Sequence, residues 1–440
     1  MHLLNPMYYF KPSYTPHNGA ANILVRSLAE GLGLSFNKKY EIILSSFLAV
    51  AKKVNGQSFD WMKGNDDETL KFWNLFPSVS SQSIQKVYNL LNEHDYIKSS
   101  SDFPNYIRES IGIGKPSWIK ANRLPKNFLE EASFIESNLP SVLVNTLETY
   151  EGKSFSINEA LTAPKLDIKQ AKQKFGKDYM LAHETVLKMN ELWSKYPLYN
   201  PKQNELYSSA RRIFHNGSIK SGGRWYGGWT DFETHQRLSF TINDNPVVQV
   251  DVNAMILSLL SSMTGKPMHM IGVFKDIYQP VLVKMCEIAN ARDKLKQVIM
   301  ELTFSGNPYI EKPFLGSDIL DNVDEFIYIR DLCLQAYPAL KCLDNEYFNF
   351  TNALSYHEAN ILTQTLINLK EKEIVAYPIH DCVIVRLGDE FEAVETFKKV
   401  FKEYVFSFQA RNDLPRIDLD IALTVEFDPS SKLRVEGSSG

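Results

Sequence analysis

A lone carboxylate in the middle of an apolar strand is the feature of this chain that most limits what it can fold into. Asp251 stands in VVQVDVNAMIL and Asp381 in IVAYPIHDCVIVRL, each among β-branched and aliphatic neighbours. An ionised carboxyl group in such a run costs several kcal/mol of desolvation unless a cation or a set of donors meets it. Two runs of this kind predict neighbouring strands of one sheet, with the carboxylates sharing a partner. Hard divalent cations take oxygen ligands and bridge readily to phosphate, which suits that need. Taken singly, each aspartate reads more simply as a structural or capping residue.

The flanking patterns fill in the sheet. In IALTVEF, Ile421, Leu423, Val425 and Phe427 alternate with Ala422, Thr424 and Glu426, the period of a half-buried antiparallel strand. FEAVETFKKVFKEYVF lies between it and the second aspartate and has helical spacing. Three strands with helices on one face make an α+β layer. A second helix, ANARDKLKQVIMELTFSGNPY, places Arg292, Lys296, Met300 and Phe304 at every fourth position, while Leu295, Val298, Ile299 and Leu302 mark a core-facing side. Over roughly 18 Å such a stripe can set two cations against a triphosphate and an aromatic ring beside a base and sugar. Arginine grips phosphate oxygens in a planar fork and lysine acts as a compact charge. Two exposed basic residues and one buried Phe is the plainer account of the same helix.

With 440 residues the chain has room for two or three domains. A net charge of −4 gives no global attraction for a polyanion, so any nucleic acid must be held by local tracts. Lys202, Arg211, Arg212, Lys220 and Arg224 form one, and Lys284, Arg292, Lys294 and Lys296 another. Four cysteines without a CxxC pair argue against a zinc knuckle or disulfide framework. No apolar run reaches the roughly 20 residues of a membrane span, and no secretion signal opens the chain, so a cytoplasmic location without a membrane partner is expected.

Four regions follow. Residues 1–116 carry helical patterns, YEIILSSFLAVAKKV and SIQKVYNLLNEHDYI, the latter running into YIKSSSDFPNYI as a strand and wing. That is a winged-helix outline of the kind found in DNA-binding modules, or else a plain helical packing domain. Residues 117–240 hold two long helical patterns, LDIKQAKQKFGKDYMLAHETVLKMNELWSKY and QNELYSSARRIFHN, and then SGGRWYGGW. The Gly-rich stretch reads as a turn between strands, or as a loop that brings Arg224 to phosphate and a ring to a base. Residues 241–430 hold the two aspartate strands, with an insertion at about 262–355, and 431–440 are a tail.

A strand bearing Asp, then a helix reading Arg, three residues, Lys, seven residues, aromatic, then a hairpin bearing His-Asp, resembles motifs A, B and C of the family A DNA polymerases and the related single-subunit phage-type RNA polymerases. The similarity covers about residues 220–427 and suggests a small, divergent member, such as a mobile element would carry. It implies an α+β right hand: an antiparallel palm sheet, helical fingers inserted in it, a helical thumb within 117–240 and a mostly helical N-terminal domain. The resemblance further implies that Asp251 and Asp381, with the carbonyl of Val252, bind two Mg²⁺ ions, or Mn²⁺. Arg292 and Lys296 would neutralise the triphosphate, and Lys296 would protonate the departing pyrophosphate. Met300 and Phe304 would line the nucleotide site, and His380 would sit near the primer end. Arg224 would contact the template strand, with Arg211 and Arg212 in the basic tract before it. The helix around His357 and Glu358 would face the growing duplex.

Several positions depart from the family. Ile256 replaces the glutamate that screens the sugar in the DNA polymerases and the glycine of the RNA polymerases; its bulk would crowd a 2′-hydroxyl and favours dNTPs. Phe304 stands where tyrosine is usual. Ser305 and Gly306 displace the usual glycine by one residue, and Cys382 follows Asp381 in place of glutamate. No acidic arrangement upstream suggests a proofreading exonuclease. The expected activity is template-directed nucleotidyl transfer on a primed nucleic acid, DNA synthesis first and an RNA-synthesising primase or transcriptase second. A metal phosphohydrolase built on His380 and Asp381 would need further ligands on helices. A replication or regulatory protein that binds DNA without catalysis would not need Asp251, Arg292, Lys296 and Asp381 together.

Overall fold

The computed structural model describes residues 14–54, 58–61, 79–99, 117–132, 134–136, 141–145, 166, 168–203, 205–266, 276–313, 322–344, 352–416 and 421–428. The chain forms two compact units, one of Met1–Ser141, Asp167–Gln170 and Thr185–Arg211, the other of Val142–Leu166, Ala171–Glu184 and Arg212–Gly440. The boundary expected near residue 116 and the tail at 431–440 lie outside the described residues. The fold is mixed α+β with mainly antiparallel pairing. Among the described residues no helix is long and apolar enough to cross a membrane.

In the first unit β1 (Tyr14–Pro16) precedes helices α1 (Gly19–Gly31) and α2 (Lys38–Val54). Asn18 starts α1 by accepting the Ala21 N–H, which satisfies one of the donors a helix leaves open at its first turn. The middle of α2, from Ile42 to Ala51, is buried all round, so this helix is the centre of the unit. After β2 (Ser58–Trp61) comes α3 (Ser81–Glu93), capped by Ser80 on the Ser83 N–H and packed on α2 through Ile84, Val87, Tyr88 and Leu91. β3 (Ile97–Ser99) and β4 (Ser117–Ala121) complete an antiparallel sheet in the order β2, β4, β3. The wing expected beyond Ser99 falls outside the described residues. Helix α4 (Lys126–Glu131) leads to β5 (Phe134–Glu136), which pairs antiparallel with β1 and parallel with β8 (Glu205–Tyr207); β7 (Leu198–Asn200) flanks β8.

Helix α5 (Ile168–Lys195) contributes residues to both units. The sequence reads as one uninterrupted helix, but Gly176 takes φ +52° and ψ −118°, a conformation that breaks the helix and that glycine alone adopts without strain. QNELYSSARRIFHN, expected to be helical, is instead β8 and β9 (Ala210–Phe214). Burial alternates along β9, with Ala210, Arg212 and Phe214 inside, and a strand on either side satisfies its backbone: β6 (Val142–Val144) and β10 (Gly222–Gly227). The Gly-rich stretch is therefore a strand from Gly222 to Gly227 that runs into a 3-10 turn at Gly228–Asp231.

The second unit is built on a sheet in the order β11 (Thr241–Ile242), β12 (Asn245–Val252), β14 (Cys382–Arg386), β13 (Tyr377–Ile379), with β15 (Leu423–Phe427) also pairing with β12. Period two sends Val248, Val250 and Val252, each at most 1% exposed, to the face covered by α12 (Glu390–Arg411), and leaves Gln249 and Asp251 on the other. A short helix α6 (Thr234–Arg237) precedes the sheet, and α7 (Met255–Thr264) follows β12 directly and packs on α12 and α11 (Ala353–Glu371). Between α7 and α11 lie α8 (Gln279–Leu282), α9 (Ala291–Ser305) and α10 (Val323–Ala336). Gly306 ends α9 in the left-handed conformation, φ +69°, which glycine adopts without strain.

Candidate active site

The register of the central sheet brings the two aspartates to neighbouring positions. Ile379 pairs with Cys382, so only His380 and Asp381 connect β13 to β14. His380 adopts φ +48° at the first of these positions, where tight hairpins between right-twisted strands require positive φ. A non-glycine residue there costs about 1–3 kcal/mol, which the flanking ladder must offset. On the other side of β14, Asp251 is the cross-strand partner of Cys382, and the Val252 N–H donates to the Asp381 carbonyl at 3.3 Å. Thr424 faces Asp251 from β15, and Glu426 faces Gln249. One polar face therefore carries Asp251, Thr424 and Glu426, with Asp381 at its edge.

Both carboxyl groups hold their protons more tightly than usual. Burial pushes Asp381 up to about 8, with Glu358 and Asp251 adding repulsion and Arg224 opposing it. Burial also raises Asp251 to about 6, with Glu426 adding and Lys296 and Arg237 opposing. Two desolvated, mutually repelling carboxylates are the electrostatic state that a bound cation relieves. The neighbouring Cys382 thiol is pushed well above its ordinary range by burial and by both aspartates, so it stays a neutral thiol and no soft ligand. Hard oxygens are thus what the site offers, and they fit Mg²⁺ or Mn²⁺. Among the described residues no three His, Cys, Asp or Glu side chains gather as a metal cluster. Completing an octahedral shell would fall to backbone carbonyls, water and substrate oxygens, the usual habit of Mg²⁺.

Helix α9 turns its stripe outward, as its spacing predicts. Arg292, Lys296 and Met300 are exposed and Phe304 half-buried, whereas Leu295, Val298, Ile299 and Leu302 are in the core. Lys296 is the strongest positive influence on Asp251. Arg292 is ion-paired with Asp276, and both cations lie near the Tyr278 ring, Arg292 at 5.1 Å and Lys296 at 5.9 Å from its centre. Asp276 and Tyr278 were not legible in the sequence, because they precede the helix in a segment without periodicity. At the far end, the Arg224 guanidinium stands 5.4 Å from the Phe304 ring. Ile256, in the first turn of α7, is half-buried while Met255 and Leu257 to Leu260 are buried, so it is the residue of that turn that stays accessible five positions after Asp251.

Two expectations for nucleic-acid contacts need correcting. Glu358 is 1% exposed and holds Arg224 in a bidentate pair at 2.7 and 2.9 Å, so it anchors the arginine and does not face a duplex. Burial pulls the Arg224 guanidinium down, and Glu358 more than restores its hold on the proton. Arg212 is buried as well, donating to the Gly223 carbonyl at 2.7 Å and to Asn360 Oδ1 at 3.1 Å, with its plane against Phe214 and Trp225. It holds β9 to β10 and cannot reach a strand of nucleic acid. Alternation along β9 turns Arg211 the other way, half-buried. His380 meets Tyr226 edge-on at 6.2 Å, and burial, with Arg224 and Arg237 nearby, lowers it to about 4, which makes it a neutral imidazole at physiological pH. Arg237, which the sequence did not single out, braces the polar face through Gln249 Oε1 at 3.1 Å.

Neither a family model nor a curated protein sequence matches the chain. Among solved structures it is similar to the POL domain of Pol1 from M. smegmatis in complex with DNA primer-template and dNTP, at 9% identity and a TM-score of 0.33, over 64% of this chain and 57% of that one. The chain thus spans less than two thirds of that domain, and a likeness of this size assigns no residue and no activity.

Proposed function

We propose that this chain is a template-directed nucleotidyl transferase that extends a primed nucleic acid, DNA in preference to RNA, with two divalent ions. The supporting observation is that Asp251 lies opposite Cys382, next to Asp381, with both carboxyl groups desolvated and Lys296 of α9 acting on Asp251. In this reading residues 241–430 are the palm, with the fingers inserted at about 262–355, and residues 117–240 supply the thumb.

The ions, held by Asp251, Asp381 and the Val252 carbonyl, would activate the primer hydroxyl and neutralise the triphosphate. Arg292 grips phosphate oxygens through its fork, and Lys296 adds a point charge and gives its proton to the departing pyrophosphate. Met300 and Phe304 pack on the incoming base and sugar, and Ile256 fills the space a 2′-hydroxyl would need. His380, neutral and bordered by Tyr226, sits at the primer end. Arg224 contacts the template strand while Glu358 fixes its direction.

Primer extension on a primed DNA template with Mg²⁺ or Mn²⁺, offered dNTPs or rNTPs, tests this reading. Asp251→Asn and Asp381→Asn should each lower extension by at least about a thousandfold with the fold intact, and Lys296→Ala by about a hundredfold. Extension that persists in either aspartate variant removes the metal site. Preferential use of rNTPs makes the enzyme a primase or transcriptase, the reading favoured by Cys382 after the metal-binding aspartate.

A further inference from the structure

The first unit carries an arrangement that the catalytic reading does not use. Among the described residues from α2 to β4 the order is helix, strand, helix, strand, strand, with the last two strands and β2 forming one antiparallel sheet in the order β2, β4, β3. Helix α3 buries one side on α2 through Ile84, Val87, Tyr88 and Leu91. Its other side is mostly polar: Gln82, Lys86, Asn89 and Glu93 are exposed, Gln85 is half-buried and donates to Asn89 Oδ1 at 2.9 Å, and Leu90 is half-buried at the margin. These are the side-chain types that hydrogen-bond base edges in pairs, amides to adenine and ammonium to guanine.

Charge concentrates around the same helix. Lys39, at the start of α2, and Lys86 stand 4.9 and 5.8 Å from the Tyr40 ring, two like charges on one surface, and neither forms an ion pair among the described residues. Lys98 and Lys120, exposed on β3 and β4, are cross-strand partners, although like charges in that relation repel. A polyanion offsets the repulsion between Lys98 and Lys120.

We infer that the described residues of α2, α3, β3 and β4 form a DNA-binding surface whose helix α3 enters the major groove of duplex DNA and reads base edges through Gln82, Gln85, Lys86 and Asn89, with Lys39, Lys98 and Lys120 on phosphates. The site consists of described residues alone and stands whether or not the second unit polymerises. An α-helix fits the major groove of B-form DNA, about 12 Å wide, and not the deep, narrow major groove of A-form RNA. A protein partner would call for exposed aromatic or aliphatic anchors, and α3 exposes no such residue fully. The consequence is sequence-selective recruitment, a function that a template-reading catalytic site cannot provide.

Selection from a pool of blunt DNA duplexes of about 30 bp with a randomised centre, long enough for two half-sites, tests this with full-length protein in EDTA, where no extension occurs. The pool should converge on a defined site bound at least about tenfold more tightly than the starting mixture. The double variant Gln82→Ala/Asn89→Ala should fall back to the affinity of the mixture at unchanged melting temperature. Lys98→Ala/Lys120→Ala should weaken all duplexes alike and reduce the salt slope by about 2. If the amide double variant fails to fold, Lys86→Glu, a reversal on an exposed position, should abolish the preference on its own. Failure to converge, a preference that survives Gln82→Ala/Asn89→Ala or Lys86→Glu, or one lost instead in Arg292→Ala/Lys296→Ala overturns the inference; the last result would put the reading of sequence in the second unit.

Discussion

Arg292 keeps its charge half in water: its side chain is 48% exposed and that of its partner Asp276 34%. An ion pair this open is worth about 0–1 kcal/mol, so a triphosphate can take the place of Asp276 at little cost. Asp276→Asn should lower the nucleotide KM several-fold with kcat nearly unchanged in steady-state extension; an unaltered KM would separate Arg292 from the nucleotide. Arg224 and Glu358 are the opposite case, 18% and 1% exposed. Removing one partner of a buried pair strands the other, at about 3–5 kcal/mol. Arg224→Ala should cost that much in urea unfolding, and Arg224→Ala/Glu358→Gln should recover most of it, because the amide carries no charge to strand. Ile256 belongs to neither case, since its contribution is bulk at an accessible place. Ile256→Gly should raise rNTP use relative to dNTP use by at least tenfold, while the glycine costs about 1 kcal/mol of helix stability. Unchanged sugar selectivity would show that the space beside Ile256 is not where the ribose lies.

Strand β10 shows why elements were harder to foresee than residues. Its two opening glycines take φ +73° and +82°, and a Cβ on Gly223 would fall 2.5 Å from the Phe214 ring and 3.0 Å from the Arg212 guanidinium. Close approach of β9 to β10 is what excludes a side chain here, and no local pattern in SGGRWYGGW announces it. Gly223→Ala should therefore destabilise the protein by about 2–4 kcal/mol in chemical denaturation; a near-neutral result would mean that Phe214 can swing aside. The same cause misled the reading of QNELYSSARRIFHN, whose spacing suits a helix until tertiary partners on both edges make it a strand. By contrast, β12, β13, β14 and α9 were legible because their signals are local. Alternating valines fix which face Asp251 takes, the two-residue span between Ile379 and Cys382 fixes the hairpin, and the four-residue period fixes the stripe. Asp276, Tyr278 and Arg237 reach the site through loops and a one-turn helix, where no period exists to be read.

Across the whole molecule, buried titrating groups pull stability in opposite directions, and their windows separate. Burial, helped by nearby arginines, lowers His215, His357 and His380 to about 4 from an ordinary 6.5. Between those values the unfolded chain binds protons that the folded one refuses, so each histidine's contribution is whole above pH 6.5 and is lost as pH falls towards 4. Asp251 and Asp381, raised to about 6 and about 8, keep protons that the unfolded chain releases near its ordinary carboxyl value of 3.8, so their contribution is lost as pH rises. Among these five groups the three histidines outweigh the two aspartates between about pH 4 and 6, and above 6.5 Asp381 is the one that still titrates. The melting temperature of the protein in EDTA should accordingly pass through a maximum near about pH 6.5 and decline towards pH 8, by a slope of up to about 1.4 kcal/mol per unit. Asp381→Asn should abolish the decline, because the amide has no proton to lose. Mg²⁺ favours the ionised carboxylates, and its stabilisation should grow as pH rises through the same window. Thermal melts of both proteins at pH 6.5 and 8, with EDTA and with Mg²⁺, measure all of this at once. A decline that persists in Asp381→Asn, or a wild-type melting temperature at pH 8 that ignores Mg²⁺, would detach the two aspartates from the cation they are argued to hold.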